Sequence, residues 1–316
     1  MCAETYESGS QELSETQVRL NRLQHGLKED WFAYALLLPT ILFLVLLLWL
    51  PFARGIWMSF HQWPFLGEPQ WIGMENYSYL FSWDAFYTSI SATAIYVTAI
   101  IIQLVLAVTA ALAVAQLSRF QNIVSGSLLV SYTMPPVVTG TIWLYLLNPS
   151  IGPVFTWLTN IGLLNSAIYW PVNGMTAITV VTLVTAWTFW PFMFIIILAS
   201  RQSIPEEHYE TARVYGASRW KMLRRITLPQ LKSAILIAFS IRFIWNLSKI
   251  SQPLQLTGGG PGYETSILAV LMYNLAYLDG RLGLSYAVGV VLLLVSLFFM
   301  YIFIRTYSRG NRSIPR

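Results

Sequence analysis

Cysteine is all but missing. The chain of 316 residues carries one, Cys2, in a polar stretch, so neither a disulfide within the chain nor a thiolate metal site can form. The three histidines, His25, His61 and His208, are scattered without metal-ligand spacing. Charged residues make up only 10% of the chain against 56% hydrophobic, a ratio foreign to soluble globular domains. None of the long apolar runs contains Asp or Glu, which removes the intramembrane carboxylate that ion-coupled carriers usually keep. A phosphate-binding loop is also lacking: the glycine-rich stretch 257–262 is followed by no Gly-Lys-Ser/Thr and preceded by no strand pattern. The chain therefore has no means of hydrolysing ATP, and no catalytic constellation, metal site or cofactor is expected. No apolar core follows Met1, so no secretory signal is expected. Residues 1–17 are polar and acidic and are expected to be disordered.

What the sequence has instead is apolar length. Runs of twenty or more residues recur, enough to cross a bilayer as helices. They predict an all-α, polytopic membrane protein of about six transmembrane helices, at roughly 31–57, 88–115, 124–147, 174–200, 233–256 and 284–304. The net charge of +5 does not indicate nucleic acid, because the basic residues flank apolar blocks rather than line one face. They cluster before the first run (Arg19, Arg22, Lys28), at Arg119, at 203–229 and after the last run (Arg305, Arg309, Arg312, Arg316). The other loops are nearly free of Lys and Arg, Arg281 excepted. By the positive-inside rule both termini and the 203–229 loop are expected in the cytoplasm. The domain plan is a tail at 1–30, a transmembrane domain at 31–306 that includes the 203–229 loop, and a tail at 307–316.

The most informative interval is 203–229, the longest polar stretch between apolar blocks. Ser203 with Glu206 fits a capping box, with Pro205 in the first turn. Glu206, Glu207 and Glu210 sit toward the positive end of a short helix, and Arg213 toward its negative end, where it can pair with Glu210. Gly216 stops that helix, Ser218 can cap a second, basic one, and Pro229 opens the next apolar block. The expectation is a helix-turn-helix knob between two membrane segments.

This stretch resembles the coupling loop of binding-protein-dependent ABC importer permeases, Glu-Ala-Ala-x-x-Asp-Gly-Ala, a variable stretch, then Ile-x-Leu-Pro. Glu210, Ala212, Gly216, Ala217, Ile226, Leu228 and Pro229 fall on it in register. Thr211 stands for alanine, Tyr215 for aspartate and Leu223 for phenylalanine. Further segments are similar to the carbohydrate (maltose/glycerol-phosphate-type) branch: Gly73-Met-Glu-Asn76-Tyr77 in an aromatic loop, Met134-Pro135-Pro136 with Trp143 and Asn148-Pro149, Trp190-Pro191-Phe192, and Leu256-Thr-Gly-Gly-Gly-Pro261. The resemblance implies a permease subunit in a prokaryotic plasma membrane, forming half of a pathway for a sugar or related polyol. It also implies a second homologous permease subunit, two ATP-binding subunits and an extracytoplasmic solute-binding protein. Glu206, Glu207, Tyr209, Glu210, Thr211, Ala212, Tyr215, Gly216 and Ala217 would then meet the ATPase. A self-contained secondary carrier or channel is the competing class.

The fifth run carries polar residues at helical spacing. Arg242, Asn246, Lys249 and Gln252 fall four, three and three apart, which on one continuous helix makes a single face. A basic residue facing lipid at mid-span costs about 2.5–3.5 kcal/mol, so this face is expected to line protein or water. Trp245, Asn246, Lys249 and Gln252 are the candidates for contact with solute hydroxyls and a sugar face. Packing against the partner permease is the alternative for the same stripe.

Overall fold

The computed structural model describes residues 31–64, 66–117 and 119–311; the expectations for 1–30 and for 312–316 lie outside them. Two compact units divide between Trp57 and Met58. The first holds all but the last residue of helix α1 (Trp31–Met58), which is long and apolar enough to cross a membrane. It passes through a π turn at Val45–Trp49, directly ahead of Pro51. Proline offers no N–H and crowds the carbonyl four residues back, and a π turn relieves both.

The second unit opens with a two-stranded antiparallel hairpin, β1 (His61–Gln62) and β2 (Gln70–Trp71), with His61 opposite Trp71. The Gly-x-x-Asn-Tyr segment explains why so short a hairpin holds. Asn76 Nδ2 donates to the Ser59 and His61 carbonyls, each at 2.9 Å, and the Tyr77 hydroxyl lies 2.6 Å from Ser59 Oγ. Both residues sit on α2 (Glu75–Ser82). Leu282 N–H donates to the Trp63 carbonyl, and Gly283 packs so closely that a Cβ would meet the His61 carbonyl oxygen. The Arg281 guanidinium lies over the Tyr79 ring at 4.6 Å, so the one basic residue that broke the loop pattern is fixed on an aromatic face.

Among the described residues, four further helices or helical runs are long and apolar enough to span: α3 (Asp84–Val114), α8 (Gly174–Gln202), α10 (Arg219–Leu247) and α13 (Leu282–Asn311). The third expected span is not one helix. It is divided into α4 (Gln121–Leu128), α5 (Val130–Thr133) and α6 (Pro136–Leu146). Met134 and Pro135 are extended, at ψ 138° and 132°. A residue before proline is pushed out of the helical region, and Pro136 then serves as a first helical residue. After α7 (Pro153–Asn160), Trp170 closes the loop by donating from Nε1 to the Leu147 carbonyl at 2.6 Å.

Helix α8 is the spine. It packs along α3 and also touches α10, α5 and α6. Ala107 and Ala111 on α3 are fully buried in the cluster that holds Met193 and Ile197 of α8; small side chains let the two backbones approach, the usual basis of packing in lipid. Beyond the knob helix α9 (Glu207–Val214), α10 runs through a π turn at Leu223–Thr227 just ahead of Pro229. It ends at Leu247, and α11 (Ser251–Thr257) follows after a non-helical break. The turn beyond α11 is closed by Asn274 Nδ2 donating to the Gly258 carbonyl at 2.9 Å, and α12 (Leu268–Tyr277) packs on α13.

The Gly283 contact yields a stability test. Gly283→Ala places a methyl on backbone that cannot retreat, so the purified chain in detergent should lose about 1–3 kcal/mol, read as a lowered midpoint of thermal unfolding. Gly126→Ala, where a Cβ meets nothing within 4 Å, should leave the midpoint unchanged or slightly raised.

Candidate functional site

Two places gather polar chemistry: the knob between α8 and α10, and the top of α10. In the knob the capping-box expectation fails. Helix α8 continues to Gln202, and Ser203 is its C-terminal cap, donating from Oγ to the Ser200 carbonyl at 2.8 Å. Helix α9 starts at Glu207 with Glu206 before it and no side-chain cap. Arg213 pairs with Glu206 at 2.8 Å rather than with Glu210, and both partners are exposed, so the pair adds little stability.

The end of α9 is as expected. Gly216 has φ +71°, its N–H donates to the Arg213 carbonyl, and the Ala217 N–H reaches back to Ala212. That is a Schellman closure, which asks for a residue without Cβ at the left-handed position. Ser218 Oγ accepts from Lys221 N–H at 3.3 Å and caps the basic helix, as predicted. That second helix is not a separate element, however: it is the foot of α10, continuous with the fifth span.

The nine knob residues then divide by exposure. Tyr209 is buried, its hydroxyl 3.0 Å from Thr227 Oγ1, and the Arg201 guanidinium lies 4.3 Å from the centre of its ring. It bolts α9 to α10 and α8 rather than facing outward. Glu206, Glu207, Glu210, Thr211, Tyr215 and Gly216 are exposed, and Ala212 and Ala217 half-buried. Two exposed residues that the motif reading passed over join them: Val214 is 85% and Trp220 67% exposed, beside Tyr215 at 84%. Large apolar side chains are thus exposed beside charged ones on this face of the knob. Helical spacing gave no signal for Trp220, which lies seven residues before buried Thr227 and so on the buried register of α10.

At the top of α10 the Arg242 side chain is 1% exposed. Its Nε donates to Gln103 Oε1 of α3 at 3.1 Å and its Nη2 to Asn246 Oδ1. The guanidinium carbon stands 4.6 Å from the centre of the Phe189 ring on α8. Gln103, itself fully buried, donates from Nε2 to the Thr185 carbonyl at 3.4 Å. Lys249 Nζ lies 4.9 Å from the centre of the same Phe189 ring. Trp245 is 42% exposed and packs its ring on Phe192 at 4.8 Å.

The single-face expectation is corrected. Lys249 lies in the break after Leu247 and Gln252 on α11, so the spacing is not carried by one helix. Arg242, Trp245, Asn246 and Lys249 do gather around Phe189 and Phe192. Gln252 is fully buried on α11, which packs against α6. Asn246 Nδ2 and both amide atoms of Gln252 find no hydrogen-bond partner among the described residues. Gln103 and Phe189 were not singled out from the sequence, because only the fold brings them to Arg242.

Residues 103–313 match the family model described as binding-protein-dependent transport system inner membrane component. The chain is 27% identical to the trehalose/maltose transport system permease protein MalF of Thermococcus litoralis, over 90% of this chain and 97% of that protein. It is 32% identical to the sulfoquinovosyl glycerol transport system permease protein SmoG of Agrobacterium fabrum, over 86% and 89%. A chain of the bacterial alginate ABC transporter, solved in complex with an alginate pentasaccharide-bound periplasmic protein, aligns with a TM-score of 0.77. The identity is 26%, and the alignment covers 91% of this chain and 98% of that one. With the motif residues of the knob in register and the membrane fold shared over nearly its whole length, the chain belongs to the family of binding-protein-dependent transport system inner membrane components, the multi-span permease subunits of ABC transporters.

Proposed function

We propose that this permease forms half of the transmembrane pathway of an ATP-driven importer for a sugar or related polyol. The observation that carries the reading is the continuity of α10. One helical run carries the basic foot of the knob at Arg219–Met222 and the polar cluster at Arg242–Asn246. A movement imposed on the knob therefore reaches the cluster through unbroken hydrogen-bonded backbone. In this reading Glu206, Glu207, Glu210, Thr211, Tyr215 and Gly216, with Val214 and Trp220, face one of two separate ATP-binding subunits. Tyr209, Ala212 and Ala217 hold the knob's shape behind them. Trp245, Asn246, Lys249 and Gln252 serve the solute, and the exposed side of Trp245 looks toward a second, homologous permease subunit. The names of the relatives support the solute class: trehalose/maltose, sulfoquinovosyl glycerol and the polysaccharide alginate. The alginate complex with its periplasmic protein supports an extracytoplasmic solute-binding protein as the donor, docking on the side of the 61–71 hairpin. Both termini and the knob face the cytoplasm in this reading, which the distribution of basic residues supports.

Two experiments test this. In a Cys2→Ser background, cysteines at Met74 and Ser166 should react with a membrane-impermeant maleimide in intact cells, and one at Lys221 only after lysis. Labelling of Lys221→Cys from outside would invert the topology and detach the knob from any cytoplasmic ATPase. Gly216→Val puts a β-branched residue at positive φ, costing about 1–2 kcal/mol or more locally. The variant should insert in the membrane normally while solute-stimulated ATP hydrolysis by the purified complex falls to the basal rate. Wild-type stimulation in Gly216→Val would dismiss the knob as the coupling element.

A further inference from the structure

Two cations share one aromatic ring at the top of α10. The Arg242 and Lys249 charges stand 4.6 and 4.9 Å from the centre of Phe189. Around Arg242 the structure offers only neutral oxygens, Gln103 Oε1 and Asn246 Oδ1. Every acidic residue from 31 to 311 lies within 68–84, 206–210 or 264–279, and the sole ion pair recorded among the described residues is that of the knob. Amide dipoles and a ring quadrupole solvate a cation without cancelling it. Two like charges therefore leave a positive potential concentrated where little water screens them. An unpaired buried charge is costly, and a site that keeps one, with a second half-buried cation on the same ring, is complementary to an anion.

The two cations differ in a way that assigns them roles. Arg242 is sealed in protein and locked by its amide partners, so it supplies field and not contact. Lys249 is half-buried on the non-helical segment after Leu247, beside exposed Trp245 and Ser248. Irregular backbone at membrane depth is tolerated where it is buried in protein or lines a polar cavity, and a flexible ammonium there is free to meet a ligand. Asn246 Nδ2, buried beside Arg242 and without a partner among the described residues, adds a donor of the kind that hydroxyl groups satisfy.

Resting on the sugar-importer reading above, we infer that the solute is an anionic sugar, carrying a carboxylate, sulfonate or phosphate group. That group passes Lys249 in the field of Arg242 while a sugar face lies on Trp245.

The test uses the native host and a strain deleted for this chain. Both are incubated with a mixture of matched pairs: hexoses and hexuronates with their oligomers, hexose 6-phosphates and 6-deoxy-6-sulfonates. Depletion from the medium is followed by mass spectrometry. The expected result is depletion, dependent on this chain, of acidic members over their neutral partners. Lys249→Gln should slow that depletion about tenfold or more per assembled complex, the loss of one charge-assisted hydrogen bond, and Lys249→Arg should restore it. Depletion of neutral members alone would overturn the anionic assignment and leave the sugar reading standing. Such a result would match a pair of cations neutralised instead by an acidic residue of the second permease. Depletion of neither class would overturn both readings. A wild-type rate in Lys249→Gln would overturn the contact with Lys249.

Discussion

A guanidinium at mid-span on a single lipid-facing helix costs about 2.5–3.5 kcal/mol. Arg242 can be held there because α3, α8 and α10 meet around it, each contributing something the charge needs: an amide oxygen from Gln103, a ring face from Phe189, and a second amide oxygen from Asn246 one turn along its own helix. Gln103 is satisfied on its other side by the Thr185 carbonyl, which ties the register of α3 to that of α8. The fully buried Ala107 and Ala111 permit that approach further along the same helix. Moving any of the three helices by one residue would strand the charge among apolar side chains, a far larger penalty than a misplaced leucine.

Legibility in the sequence followed locality. The knob was readable because its devices act within a few residues: a glycine at positive φ, a serine cap, a basic first turn. Where the reading failed inside it, the cause was competition from a neighbour. Helix α8 runs on far enough to claim Ser203 as its own last cap, so the serine was not free to start α9. Arg213 preferred Glu206, two turns away, because its Nε is already turned toward the Tyr209 carbonyl at 3.2 Å.

The membrane segments were legible as apolar length but not as continuous rods. Hydropathy is blind to backbone, so the run 124–147 reads as one span even though Met134-Pro135-Pro136 contains the signal that divides it. The break after Leu247 carries its signal downstream, in Pro253, which sits in the first turn of α11 and would crowd the Lys249 carbonyl in a continuous helix. No proline or glycine lies at 248–250, and the polar spacing ran across the gap as though the helix did. Long-range partners were beyond sequence reasoning altogether, as Arg242 and Gln103 are 139 residues apart. By contrast, the Gly-x-x-Asn-Tyr pattern gained a physical meaning, since the asparagine amide bridges two carbonyls of the hairpin and the tyrosine anchors the serine beside them.

The π turn at Leu223–Thr227 changes what kind of object α10 is. Had Pro229 broken the helix, the knob would hang on a hinge and its displacement would be lost as bending. By absorbing the proline without interrupting the backbone ladder, the turn leaves a rod of 29 residues, about 43 Å long at the α-helical rise. A rod of that length transmits torque as well as thrust, so a few degrees of tilt at its foot become a sideways sweep of ångströms at Trp245. The same rod ends at a joint, and motion arriving there is divided: the inner arm turns as a lever, while α11 and the glycine turn beyond it are free to keep the position set by α6 and Asn274.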